Sequence, residues 1–448
     1  MGNIRFIHTG DLHLGSPLKA VGKISDRLQK SLMDSSYRAI EKIIEAAVEY
    51  DVDFVLMCGD IYDDEARSIR GNRFFSDQLE ILAKENIPVF IIYGNHDPIG
   101  ENVNFFKLPK NVIVLGAEDV EMHEVCHVSG RPKARILGQS YGSPSESKKI
   151  HRNYKPPVDD LVNIAMLHTG LDPGSNAYVP CSPQELKEQS DIHYWALGHI
   201  HSPTMVSDRS PVISYPGIPQ GRDVGEKGLK GCFLVEFTSP DDIQMKFIPT
   251  SPVIWMVREI SIENKQGLEN MDHLMDLMIE DSRGIFDTPP GVPLDCPIIG
   301  NGYKPEGYVV RWEICGRHPI HDSLISDNQL EIAEALVDKM NGHLASSRPY
   351  LYTEGVKFRT GSPIPDLETL LERDETIRTL LEIRNNIFED ENLKEEAVST
   401  MGEIWYKPRS EGDLREDTFP VTDEIFDAIL EDAFNMAVER VVKERENC

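Results

Sequence analysis

The chain has 448 residues, 40% of them apolar and 27% charged, with a formal charge of −29. That length exceeds one average core and predicts two or three domains of ordinary globular composition. No stretch approaches 18 uncharged apolar residues, which excludes a membrane-spanning helix, and the N-terminus shows no secretion signal. The seven cysteines are widely spaced and form no C-x-x-C pair. They argue against a structural zinc site and for reduced thiols in a cytoplasm.

Ile4–Gly10 (IRFIHTG) reads as a buried strand ending at a loop. Ser31–Tyr50 has helical periodicity, with Leu32, Ala39, Ile40, Ile43, Ile44, Ala47 and Val48 on one side. Asp53–Asp60 (DFVLMCGD) is a second apolar strand, Asn72–Glu85 a second helix, and Val89–Asp97 (VFIIYGNHD) a third strand. Further strands are expected at Val112–Gly116, Ala134–Tyr141, Val162–Gly170, Ile192–His201 and Lys230–Phe237. Such alternation predicts a layered α/β fold whose strand carboxyl ends collect a site.

Pro240, Pro249 and Pro252 mark a boundary near residue 250. Beyond it the pattern reads strand (Ile254–Ile262), helix (Leu268–Asp281), proline-rich loop (Thr288–Pro305), strand (Tyr308–Cys315), helix (Asn328–Asn341) and strand (Tyr350–Phe358). Helices are then expected over Asp366–Phe388 and Thr422–Lys443, the second with Phe426, Leu430, Phe434 and Val438 in i, i+4 rows. Three domains are therefore expected, over 1–250, 251–360 and 361–448. The last holds 24 acidic against ten basic residues, a net of −14. The acidic balance disfavours a nucleic-acid partner unless basic patches are local.

Five short motifs follow predicted strands: Asp11-Leu-His13, Gly59-Asp60, Gly94-Asn95-His96-Asp97, His168 in MLHTG, and Gly198-His199-Ile200-His201. A D-x-H or G-D pair alone is a chance pattern, but packing does not readily produce all five in this order. Asp11, His13, Asp60, Asn95, His168, His199 and His201 offer oxygen and nitrogen donors that suit Mn2+, Fe2+ or Zn2+. Two such ions about 4 Å apart can clamp a phosphodiester and supply a nucleophile near neutral pH. Asp60 is the natural bridge and Asn95 a neutral donor. His96 can stabilise or protonate a leaving oxygen. Gly59, Gly94 and Gly198 read as sharp backbone turns. The histidines outside the motifs read as surface, capping or structural residues, with His8 a candidate support behind the ligands.

In this order the motifs resemble those of the calcineurin-like metallophosphoesterases. HTGDLHLGSPL, MCGDIYDDE and IIYGNHD are similar to the DNA-repair exonuclease branch, of SbcD and YhaO type. So is GHIHSPTMVSDRSPVISYPGIPQGRDVGEKGLKGC. The resemblance is specific over about residues 4–237, loose over Trp255–Thr360, and an analogy in the tail. It implies a layered metallophosphoesterase sandwich with a smaller α+β capping domain that helps hold DNA, and a helical C-terminal tail. It implies two divalent ions, Mn2+ foremost: one on Asp11, His13, Asp60 and His201, the other on Asp60, Asn95, His168 and His199. His96 would be the catalytic histidine, held by Asp97. Relatives in archaea and eukaryotes carry a histidine at the position of Asp63, which is left outside the expected site.

The implied activity is a DNA nuclease, exonucleolytic with single-strand endonuclease activity, in repair or defence. The implied partners are DNA, a second copy of the chain, and an SMC/SbcC-like ATPase on the C-terminal helices. Lys148, Lys149, Arg152 and Lys155 in one loop, with Arg222, are the expected DNA contacts; Lys19, Lys23, Arg27 and Arg67 are further candidates. The alternative is a phosphodiesterase or phosphatase for a small nucleotide or phosphoprotein, which the acidic charge favours. The G-D-x-x-D-R-G and G-N-H-E pattern of protein phosphatases fits less well, because Asp63 is followed by Asp64-Glu65 and the later motif ends in Asp97. A scaffold that lost catalysis would have no need of all seven donors.

Overall fold

The computed structural model describes residues 3–16, 26–63, 68–99, 106–127, 130–240, 242–287, 291, 294–300, 302–325, 328–363, 370–372, 374–402, 405–406 and 419–446. Lys19, Lys23, Arg67 and the side chain of Arg27 lie outside this set. The chain divides into two compact units. One comprises Met1–Arg258, Ile279–Trp312 and Val337–Gly355, the other Glu259–Met278, Glu313–Leu336 and Val356–Cys448.

The first unit is a layered α/β sandwich. Its strands are β1 (Ile4–Thr9), β2 (Phe54–Cys58), β3 (Val89–Ile92), β4 (Val112–Val114), β5 (Glu121–Cys126), β6 (Pro132–Gly138), β7 (Val162–His168), β8 (Tyr194–Gly198), β9 (Thr204–Ser207), β10 (Val212–Tyr215), β11 (Gly231–Ser239) and β12 (Asp242–Pro249). One sheet runs β12-β11-β1-β2-β3-β4, the other β5-β6-β7-β8-β10-β9. β1 to β4 are mutually parallel, as are β6, β7, β8 and β10. Parallel strands are buried on both faces, which is why FVLMC reads as an unbroken apolar run and VNIAMLH as one interrupted only by Asn163 before its closing His168.

Alternation along the strands sorts the layers. Ile7, Val55, Met57, Val89 and Ile91 face outward onto helices Ser35–Glu49 and Ile69–Lys84, through Ile40, Ile43, Ile44, Leu79 and Leu82. The alternate residues point at the other sheet. Phe6 stacks on Phe54 at 4.9 Å within its own sheet and meets Tyr194 of the facing sheet edge-on at 5.5 Å. On the far side of the second sheet, Leu137, Ala165, Leu167, Trp195 and Leu197 pack with Tyr141, Ile150, Tyr154 and Leu186.

Several stretches differ from expectation. The helix expected over Ser31–Tyr50 is two, Asp26–Met33 and Ser35–Glu49, parted at Asp34. Residues 242–249, where no strand was expected, form β12 against β11. Pro249 ends that edge strand, where a missing N–H costs no ladder bond.

A three-stranded sheet in the order Val253–Ser261, Gly307–Arg317, Tyr350–Gly361 follows, with helices Met271–Asp287 and Gln329–Leu344 between its strands. Helices Glu375–Glu389, Glu391–Thr400 and Asp423–Glu446 form the tail. Asp374 caps the first by accepting from Thr376 N–H at 2.8 Å. Ile377, Phe434 and Val438 make one small core of the tail, and Val398, Val421 and Phe426 another. Ile425, Ile429 and Met436 of the last helix stay exposed. No helix among the described residues is long and apolar enough to cross a membrane.

Candidate metal centre

All five motifs lie where strands of the sandwich end. Asp11 and His13 follow β1, Asp60 follows β2, the Gly94–Asp97 turn follows β3, His168 closes β7, and His199 and His201 follow β8. Asp11, His13, Asp60 and His199 adopt positive φ of 49°, 40°, 50° and 102°. Residues with a side chain seldom hold that conformation. Strain of this kind persists where the surroundings over-determine a functional geometry. The backbone supplies part of the restraint, with Asp11 N–H donating to Gly59 O at 2.9 Å and His13 N–H to Asp60 O at 3.0 Å.

Of the three motif glycines only Gly59 has a positive φ. Gly94 and Gly198 are small for a different reason. A Cβ at Gly94 would overlap Asp60 Oδ1 and the His168 ring, and one at Gly198 would overlap the Cys58 carbonyl. Ligand side chains fill the space beside Gly94, and the backbone at the end of β2 fills it beside Gly198.

The donors converge in two groups. Asp11, His13 and His201 place ligand atoms within 4.8 Å of one another, and so do Asp60, His168 and His199. Asn95 Oδ1 lies 3.1 Å from His168 Nε2 and 3.2 Å from His199 Nδ1, which puts it in the second group. Asp60 Oδ2 is 3.3 Å from His168 Nε2 and 3.9 Å from His13 Nε2, between the two groups. His13 Nε2 faces His201 Nε2 at 3.2 Å. Glu226 Oε1, 2.7 Å from His201 Nδ1, is an acceptor that draws the ring proton there. The Nε2 lone pair of His201 is thereby left facing His13, an arrangement a cation relieves. The residues present thus fit a pair of divalent ions on oxygen and nitrogen donors.

Burial sets the electrostatics. It pushes Asp11 up to about 6, opposed by the charges of His168 and His201, and holds His13 down to about 3. Burial would also raise Asp60, but His168 and His13 outweigh it and keep the carboxylate well below its ordinary range. His168 is driven up to about 9 because the charge of Asp60, together with their hydrogen bond, overcomes desolvation.

His96 lies at the exposed rim, 42% of its side chain accessible. Its Nδ1 is 3.2 Å from Asp63 Oδ1, and that contact raises its pKa. The carboxylate that holds His96 is therefore Asp63, which the sequence reading set aside. Asp97, expected in that role, accepts from Ile61 N–H at 2.7 Å, Tyr62 N–H at 3.2 Å and Gly94 N–H at 2.9 Å, and so ties the third motif to the second. Sequence reasoning also passed over Glu226, and Tyr178, whose ring lies 4.6 Å from that of His199. A ligating imidazole commonly donates its other N–H to a carboxylate, but nothing in the sequence says which carboxylate that is. His8 is a buried link between the sheets, its Nε2 donating to Leu197 O at 3.1 Å.

The expected DNA contacts divide. Lys148 and Lys155 are exposed. Lys149 and Arg152 share Glu185 Oε1 at 3.0 and 2.7 Å, and Arg222 lies against Glu226 at 2.8 Å.

The chain is similar in sequence to known proteins. The calcineurin-like phosphoesterase profile matches residues 4–203. The chain is 31% identical over 306 residues to the uncharacterized metallophosphoesterase YhaO of Bacillus subtilis, across 68% of this chain and 73% of that protein. It is 27% identical over 260 residues to the DNA double-strand break repair protein Mre11 of Archaeoglobus fulgidus, across 55% of this chain and 56% of that one. It is 29% identical over 250 residues to the Mre11 of Methanocaldococcus jannaschii, across 53% and 63%. The match thus spans less than two thirds of each of these two archaeal relatives.

Proposed function

The chain belongs to the calcineurin-like phosphoesterase family, and on that premise we propose that it is a Mn2+-dependent nuclease that hydrolyses the phosphodiester backbone of DNA. The observation that carries the reading is Asp60, whose carboxylate lies between two convergent sets of oxygen and nitrogen donors. In this proposal Asp11, His13, Asp60 and His201 hold one ion, and Asp60, Asn95, His168 and His199 the other. Ions held there would supply Lewis acidity to the phosphoryl oxygens and a nucleophile near neutral pH.

The remaining work falls to the chain. His96 stands at the accessible edge with its Nδ1 engaged by Asp63, so its Nε2 is free to deliver a proton to the leaving oxygen. Asp63 favours the charged imidazolium that has the proton to give. Asp97 fixes the turn that carries Asn95 and His96. Lys148 and Lys155 are the exposed cations proposed to meet the DNA backbone. Residues 251–360 are proposed as the capping domain, and the exposed apolar positions of Asp423–Glu446 as the surface that takes an ATPase partner. The names of the archaeal relatives refer to double-strand break repair, which favours DNA over a small nucleotide.

The test is cleavage of end-labelled linear duplex and single-stranded DNA with Mn2+, beside a His96→Ala control. Metal-dependent cutting that the variant loses supports the proposal. Hydrolysis of a generic phosphodiester without cutting of either DNA overturns it in favour of a small-molecule phosphodiesterase.

A further inference from the structure

His201 is the last of the candidate ligands, and it stands on a loop: β8 ends at Gly198, and His201 lies beyond it. A ligand on a loop needs something else to aim it. The segment from Ile218 to Lys230 does this from two directions. The His201 carbonyl accepts from Ile218 N–H at 3.2 Å and from the ammonium of Lys230 at 3.1 Å. Lys230 is only 2% exposed, so its charge is committed inside the fold. The ring is held separately, by Glu226 Oε1 at 2.7 Å from Nδ1.

Arg222 Nη2 also lies 3.2 Å from His201 Nδ1. An arginine can only donate, and a nitrogen that donates to Glu226 cannot also accept, so the two contacts are not both hydrogen bonds. Glu226 is nearer and wins the ring proton. Arg222 then acts on the carboxylate, giving its own backbone N–H to Oε2 at 2.7 Å and Nη2 to Oε1 at 2.8 Å.

We propose that Glu226, steadied by Arg222, is the positioning residue for His201: it fixes the imidazole as the Nδ1–H tautomer and aims Nε2 into the group formed with Asp11 and His13. This rests on the two-ion reading above. Its consequence is selective, because Glu226 reaches only one ligand of one group. A carboxylate that orients a ligating imidazole contributes about 10- to 100-fold in metal affinity.

The experiment is calorimetric titration of the full chain with Mn2+ alone, in the parent, Glu226→Gln and Glu226→Ala, each checked for an unchanged circular dichroism spectrum. The parent should bind two ions. Glu226→Ala should bind one of them about 10- to 100-fold more weakly and the other as before. Glu226→Gln keeps an oxygen for the ring N–H and should fall between; if the alanine variant does not fold, it carries the test alone. Unchanged affinities in a folded variant would overturn the assignment. Equal weakening of both ions would overturn it too, by showing a general loosening of the site. A parent that binds no Mn2+ would sink the two-ion reading, and this inference with it. No DNA is needed, so failure of the nuclease proposal leaves the result intact.

Discussion

His8 offers a test of how the two sheets are fastened beneath the site. Its Nε2 faces the Leu197 carbonyl at 3.1 Å, which can only accept, so Nε2 carries the proton. Nδ1 is then an acceptor for the Tyr194 hydroxyl at 2.9 Å, and Tyr194 accepts in turn from Ser214 at 2.7 Å. The whole chain of bonds requires the neutral ring, and complete burial holds the pKa of His8 down to about 3. The unfolded histidine titrates near 6.5. A group whose folded pKa is depressed below the unfolded value keeps its contribution above the unfolded value and loses it as pH falls toward the folded one. At 1.36 kcal/mol per pH unit, acidification from pH 7.5 to 5.0 should remove about 2 kcal/mol through His8 alone. His8→Gln cannot titrate. Its amide can still donate toward Leu197, and it should cost about 1–2 kcal/mol at pH 7.5 by leaving the Tyr194 hydroxyl poorly matched. Denaturant unfolding of parent and variant at pH 7.5, 6.5 and 5.0 then isolates the effect, since other acid-sensitive groups cancel in the difference. The stability gap between the two proteins should close by about 2 kcal/mol on acidification. A gap that stays constant to within about 0.5 kcal/mol would refute the claim that His8 is buried as the neutral ring.

Four further outcomes are expected. His96→Ala should lower the rate of cleavage by about 10^2- to 10^4-fold while Mn2+ binding measured by calorimetry stays intact. Tyr141→Phe removes the hydroxyl that donates to the His168 carbonyl at 2.9 Å in a fully buried setting, and should cost about 1–2 kcal/mol in thermal or denaturant unfolding. Gly94→Ala should abolish binding at the group containing Asp60 and His168, because the new methyl occupies their space; retention of both ions would contradict the geometry. Replacing Lys148 and Lys155 by Gln should reduce the slope of log affinity for DNA against log salt by about 1–2, read from binding isotherms at several salt concentrations.

The strand ends, and with them the seven candidate donors, were legible because two signals coincide there. A largely apolar run announces a parallel strand, and a Gly followed by Asp, Asn or His marks where four of those strands stop. What was not legible has physical reasons too. β5 (EMHEVC) is a largely exposed edge strand, so it carries no apolar run to detect. β12 alternates, but its terminal proline looked like a boundary. Asp63 stands where Asp97 was expected because spacing along the chain does not say which carboxylate points at the ring: the turn after β2 delivers Asp63 to His96, while Asp97 accepts from backbone N–H groups. Glu226 lies 25 positions beyond His201 in sequence and 2.7 Å from it in space. The strain at Asp11, His13, Asp60 and His199 was not legible either, since Asp and His take positive φ more readily than most residues with a side chain but still seldom do.

Each donor group draws on both sheets of the sandwich: Asp11 and His13 come from one and His201 from the other, and Asp60 and Asn95 face His168 and His199 in the same way. An ion in either place is therefore a stitch across the seam between the layers. Because the unfolded chain cannot offer both sides of the seam at once, the ion's concentration becomes a variable of folding, and each hundredfold excess over its dissociation constant adds about 2.7 kcal/mol to the closed sandwich. A chelator would then unpick the layers from the same edge at which substrate arrives.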